Sequence, residues 1–255
     1  MIVAFDYDWR LLDAAAQARL ERWVARESGG LVLVAGGVFM EAWLADPQTG
    51  VVRALHPVEL RRTVQAAFES PEAREQPMPL ALTPDGQDAE FLWLASTRVA
   101  SQTVWDEFKG VYSCFGASVA KPGATVYARA RAAGGEGAVG DANPIAMAGQ
   151  FYGSGSVFFL GSGETWRLRS LDDALHERFV TQLVRHVSQG RLLRGSQRAR
   201  LLVDRDRFAV GASVTVRLVV PEGDAAAVRE CRAHGPDGVA VPVPLAPERD
   251  RPGTL

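Results

Sequence analysis

Residues 29–43, GGLVLVAGGVFMEAW, decide how the rest of the chain is read. Leu31 to Ala35 make a continuous apolar run, the pattern of a strand buried on both faces. Gly36 and Gly37 form a turn after it, and FMEAWL, residues 39–44, starts a helical segment that DPQTG breaks. Upstream, MIVAF at residues 1–5 is a short apolar strand. Asp13 is placed to cap a helix through AAAQARLERWVARE, whose Leu20, Trp23 and Val24 share a face, and SGG stops it. Strand, helix and strand within about thirty-five residues make a βαβ unit, which predicts a parallel sheet. In many α/β enzymes the turn after such a strand carries a nucleophile. Here neither Gly36 nor Gly37 has a side chain that could attack anything.

The 255 residues suffice for one large α/β domain, or for one domain and a fragment of another. Apolar residues make up 47%, enough for a substantial core. Twenty-eight basic and thirty acidic side chains leave a net charge of -2, so no nucleic-acid partner is expected. Lys109 and Lys121 are the only lysines; the arginine bias fits phosphate or carboxylate recognition and, more plainly, a bias of composition. Cys114 and Cys231 form no CxxC, and His56, His176, His186 and His234 show no metal-ligand spacing. No metal and no cofactor is expected. No apolar run reaches the roughly 18 residues of a membrane span, and MIVAFDYDW does not read as a signal peptide. The expectation is a soluble chain.

Further along, residues 56–80 read as loops around a short helix or strand. LTPDGQDAEFLWLA, residues 82–95, predicts a turn and then a helix carrying Phe91, Leu92 and Leu94. KPGATVYARAR leads from a turn into a strand, and residues 131–143 form a glycine-rich loop. PIAMAGQFYGSGSVFFLG, residues 144–161, is the strongest hairpin signal, two apolar strands around YGSGS. In SLDDALHERFVTQLVRHVSQG, Leu175, Phe179, Leu183 and Val187 step by four along one helix face, with acids early and arginines late. After it the pattern turns β-rich. The boundary falls near Gly195, giving an α/β domain over 1–195 and a β segment over 196–255. About sixty residues are few for a β-sandwich, which usually takes about 100.

Several stretches point together to one family: FDYDW, LERWV with GGLVLVAGG, LTPDG with FLWL, KPGATVYAR, GQFYGSGSVFFLGSGETWRLRSLDD, and LVRHVSQGRLL with LVDRDRF. Nearly the whole chain resembles the glutamine-amidotransferase-like domain of large bacterial membrane-anchored proteins, which often also carry von Willebrand factor A or aerotolerance-regulator-type regions. GETWRLR, followed by a helix and LVRH, is the most specific part. The resemblance implies the flavodoxin-like three-layer α/β sandwich of class I glutamine amidotransferases, with a mostly parallel sheet, followed by an immunoglobulin-like segment. It also implies that a first βα unit would precede MIVAF and that the β-sandwich is partial.

A glutaminase of this class needs a cysteine on the strained turn, where backbone amides stabilise the oxyanion. The resemblance places that cysteine at Gly36, or at most Gly37. The partner histidine and glutamate would follow the late strand, which reads FFLGSGETW; Glu164 is there with no histidine beside it. The triad is absent and no residue is assigned a catalytic role. Cys114, in VYSCFGASV, follows a loop and reads as a small half-buried thiol. His176 and His186 sit ten residues apart on the long helix, as surface or packing residues, and Ser154, Ser156 and Ser162 lie in glycine turns. Seven arginines between Arg185 and Arg207 read as a solvated interdomain face.

Glu164, Trp166, Arg167 and Arg169 follow a strand's carboxyl end, the ligand-facing edge of an open α/β sheet. Gly36 and Gly37 should open on that edge, with helix-start amides able to hold an anion. One reading makes Gly36, Gly37, Glu164, Trp166 and Arg167 a pocket for a small polar or anionic ligand. The other packs Trp166 under a loop and pairs Glu164 with Arg167. The leading expectation is a non-catalytic binding or scaffolding module of a larger envelope-associated protein, taking a protein partner or such a ligand. The alternatives are an active amidotransferase or amidohydrolase with a displaced nucleophile, and a ThuA-like sugar-related module, which shares the sheet and the empty turn.

Overall fold

The βαβ unit consists of β1 (Ile2–Phe5), α1 (Ala14–Glu27) and β2 (Gly30–Val34) in a computed structural model of the chain. The structure describes residues 1–60, 76–115, 117–131 and 143–192, and in the tail 200–203, 211, 216–219, 231–234 and 240–243. β1 lies parallel to β2, with Ile2 opposite Leu31 and Phe5 opposite Val34. Asp13 caps α1 by accepting from the Ala16 amide at 2.6 Å, and Ser28 ends it in the left-handed region at φ 54°. Every residue of β2 is buried, as its unbroken apolar run requires.

After β2 come α2 (Met40–Leu44), α3 (Gly50–Leu55), β3 (Val58–Glu59), β4 (Leu80–Leu82), α4 (Pro84–Asp88) and α5 (Arg98–Glu107). β5 (Val119–Ala120), β6 (Ala124–Ala130), β7 (Ile145–Tyr152), β8 (Gly155–Leu160) and α6 (Asp173–Leu192) complete this part. Six strands form one sheet in the order β1-β2-β8-β7-β6-β4. Pairing is parallel through β1, β2 and β8. It is antiparallel through β8, β7, β6 and β4, so β1, β2, β8 and β6 run one way while β7 and β4 oppose them. β3 and β5 form a separate antiparallel pair.

Helices cover both faces of this α/β sheet. Val32, Val34, Phe158 and Leu160 pack with Trp105 of α5 and with Phe179, Leu183 and Val187 of α6. Alternate residues of the same strands, Leu31, Leu33, Val157 and Phe159, pack on the other side with Val24, Trp43 and Leu55. The step of four in α6 is thus a buried stripe, with Leu175 partly buried at its start.

The turn and helix expected over 82–95 fold differently. Thr83 and Pro84 start α4, Ala89 adopts an extended conformation, and Glu90–Leu92 is a separate 3-10 turn. α5 matches no predicted element; Thr97 caps it, and Trp105 is buried with its Nε1 donating to the Leu92 carbonyl at 2.9 Å.

The chain divides into two compact units, Met1–Leu192 and Leu193–Leu255. In the second, β9 (Arg200–Val203) pairs antiparallel with β10 (Val216–Val219), and β11 (Cys231–His234) with β12 (Ala240–Val243). Most of the glycine-rich loop, and Arg194, Arg198, Arg205 and Arg207 of the arginine stretch, lie outside the described residues. Among the described residues no helix is long and apolar enough to cross a membrane.

Candidate functional site

β1, β2 and β8 are adjacent and parallel, so the segments that leave their carboxyl ends emerge on one edge of the sheet. Backbone hydrogen bonds tie these exits together. The Asp6 amide donates to Val34 at 2.8 Å, Ala35 to Leu160 at 2.8 Å, and Phe115, from a fourth segment, to Gly161 at 2.6 Å. This is the edge at which open α/β sheets bind ligands.

The glycine turn is filled from within. Asp6 has a positive φ of 39°, and its carboxylate accepts from the Val38 amide at 2.8 Å and the Phe39 amide at 3.3 Å. Two amides of the turn that leads into α2 are therefore engaged by the chain's own carboxylate. A Cβ on Gly36 would lie 2.5 Å from the Asp6 Cβ and Oδ2, closer than packed atoms approach. On Gly37 it would lie 2.8 Å from Cζ at the tip of the Phe115 ring, the far end of a partly buried side chain.

Beneath the turn lies a narrow crevice lined by Asp6, Trp9, Gly36, Met40, Trp43 and His56, among others. It leaves about 10 Å³ for the centre of a water molecule, roughly one water and far less than glutamine or a sugar needs. His56 is buried with its Nδ1 2.9 Å from the Val52 carbonyl, so that nitrogen carries the proton. Its ring stacks on Trp43 with centroids 5.5 Å apart. Burial pushes its pKa down to about 4, which leaves a neutral imidazole at neutral pH.

Glu164–Ser170 winds as a 3-10 helix. With three residues per turn, positions three apart share a face. Thr165 and Leu168 face inward and are buried; Glu164 and Arg167 share a second face; Trp166 and Arg169 are exposed on the third. This corrects the expectation that Trp166 packs under a loop, because it is 49% exposed. The expected ion pair is present, with Arg167 Nε 2.7 Å from Glu164 Oε2. Glu164 also accepts from the Tyr112 amide at 3.0 Å and from the Ser113 hydroxyl. Burial opposes ionisation of Glu164, but the hydrogen bonds from Ser113, Tyr112 and Arg167 outweigh it and hold the carboxyl below its ordinary range. The guanidinium carbon of Arg167 lies 4.4 Å from the Tyr112 ring centroid and 4.7 Å from that of Trp166. Gly163 backs onto Phe5, whose ring a Cβ there would overlap.

The five candidate residues thus sit on one edge in two groups. Gly36 and Gly37 are closed by Asp6 and Phe115, while Glu164, Trp166 and Arg167 form an open cluster with Tyr112. Asp6 and Tyr112 were not identifiable from the sequence, since each meets its partners far along the chain.

Cys114 is buried, more fully than expected, and burial first, with Glu164 adding to it, pushes its thiol up to about 12. It is a poor nucleophile at neutral pH. Ser162 accepts from the Glu164 amide at 3.1 Å, a local bond, and Ser154 donates to the Ala25 carbonyl at 3.0 Å, tying the β7–β8 turn to α1; both are structural. His186 stacks on Phe91 at 4.0 Å, and burial pushes it down to about 4. His176 is lowered by burial and by Arg169. Among the described residues no group of three or more His, Cys, Asp or Glu could hold a metal. No protein-family model, curated protein or solved structure matches the chain.

Proposed function

We propose that the chain is a non-catalytic, glutamine-amidotransferase-like binding or scaffolding module of a larger cell-envelope-associated protein. On this reading the sheet of the first unit is a variant of the flavodoxin-like sandwich, and the hairpins of the second belong to an immunoglobulin-like segment. The observation that carries the proposal is the Asp6 carboxylate in the glycine turn. It takes the amides of Val38 and Phe39 and the space a side chain at position 36 would need. The space for a nucleophile at position 36 and the turn amides beside it are both taken, while the neighbouring edge presents Tyr112, Trp166 and part of Arg167 to solvent. Cys114 supplies no substitute, because burial keeps it a thiol.

The test is ammonia release from glutamine by the purified chain. No release above buffer is expected, and none from Cys114→Ser. Turnover in the parent that disappears in Cys114→Ser would overturn the proposal. Transmembrane segments and a von Willebrand factor A region in the neighbouring coding sequence would support the envelope placement.

A further inference from the structure

We propose that Arg167, with Tyr112 and Trp166, is a receptor for an acidic side chain carried on an apolar segment of a partner protein. This rests on the binding-module reading above and names the partner's chemistry.

The guanidinium is held before any ligand arrives. Nε is fixed on Glu164 Oε2 at 2.7 Å, and the guanidinium carbon packs against two rings at 4.4 and 4.7 Å. Glu164 is fixed in turn by Tyr112 and Ser113, so the support belongs to two segments of the chain. Among the described residues nothing accepts from Nη1 or Nη2. A guanidinium has five N–H donors in a rigid fork, so four remain, in the geometry that matches a carboxylate. The ordering of a long side chain, normally a cost of binding, is already met by the fold.

Charge and exposure select the class of ligand. Glu164 offsets Arg167, so a small free anion gains little Coulomb attraction over water. A dianion such as phosphate would meet the Glu164 carboxylate across the same guanidinium. A singly charged carboxylate with apolar surface attached suffers least from both effects. The apolar surface has a place to go: Trp166 is 49% exposed, Tyr112 38%, and Phe5, lying against Gly163, 64%. Exposed Trp, Tyr and Arg together have the composition of interface hot spots.

The experiment selects a random linear peptide library on the full chain and measures synthetic copies of the recovered peptides by fluorescence anisotropy. Recovered peptides should share an Asp or Glu next to an aliphatic or aromatic residue. Replacing that acid by its amide should weaken binding at least tenfold. Arg167→Gln should do the same, and so should Arg167→Lys, which keeps the charge and loses the fork; Trp166→Ala, which removes one ring, should also weaken it. Thermal melts of the variants within a few degrees of the parent separate loss of binding from loss of folding. Failure to recover any peptide overturns the inference, as do peptides without an acid, equal binding to Arg167→Gln, and equal competition by millimolar acetate or inorganic phosphate. Peptides that bind independently of Arg167 refute this inference and leave the module reading standing, whereas glutamine turnover refutes that reading whatever the peptides do.

Discussion

Asp6 and Gly36 are thirty residues apart in sequence and depend on each other in space. The carboxylate of Asp6 pins the turn that leads into α2 by accepting from the Val38 and Phe39 amides. That the turn lacks a nucleophile is legible from the letters Gly36 and Gly37 alone. That the turn is also filled is not, because an aspartate so far upstream gives no local signal. Gly36→Ala should cost about 1–3 kcal/mol, the usual range for overpacking a fitted site. Gly37→Ala should cost less than about 1 kcal/mol, since only the tip of the Phe115 ring must yield. Urea denaturation of both variants beside the parent checks the order, and equal losses would contradict it.

Among the elements, those built on simple periodicity were legible: the βαβ unit, the hairpin of β7 and β8, and α6 with its stripe of four. The 3-10 helix at Glu164–Ser170 was not, because its period of three shows only as Thr165 and Leu168, and threonine is a weak apolar marker. The wrong expectation for Trp166 follows from that. A large ring beside a loop reads as buried until the winding of the backbone is known. α5 was missed because its buried face rests on Ser101 and Trp105, too few residues to establish a period. The two tryptophans should behave differently. Trp105→Ala should cost about 3–5 kcal/mol, as aromatic truncations in a core do, and Trp166→Ala should stay within about 1 kcal/mol. Thermal melts check this, and a large drop for Trp166→Ala would restore it as a structural residue.

Across the first unit, the two sheet faces each carry a neutral histidine, His56 buried and His186 partly buried. His56 stacks on Trp43 on one side, and His186 lies among Phe91, Tyr127 and Phe158 on the other. Burial lowers each to about 4 in the folded chain, against an ordinary value of 6.5. Between those values the unfolded chain binds a proton that the folded chain refuses, so stability is full above pH 6.5 and falls as pH drops toward 4. The slope should be about 1.4 kcal/mol per pH unit for each histidine. His186→Phe, which keeps a ring against Phe91, should remove its share of that slope, as melts between pH 4 and 7 would record; an unchanged slope would contradict the assignment. The filled turn also bears on how such a chain changes over generations. Giving position 36 a side chain while Asp6 stays creates a clash, and removing Asp6 first leaves the Val38 and Phe39 amides without their acceptor. Either order passes through a weakened intermediate. The pair therefore acts as a ratchet: neither residue can be exchanged alone without a loss of folding stability.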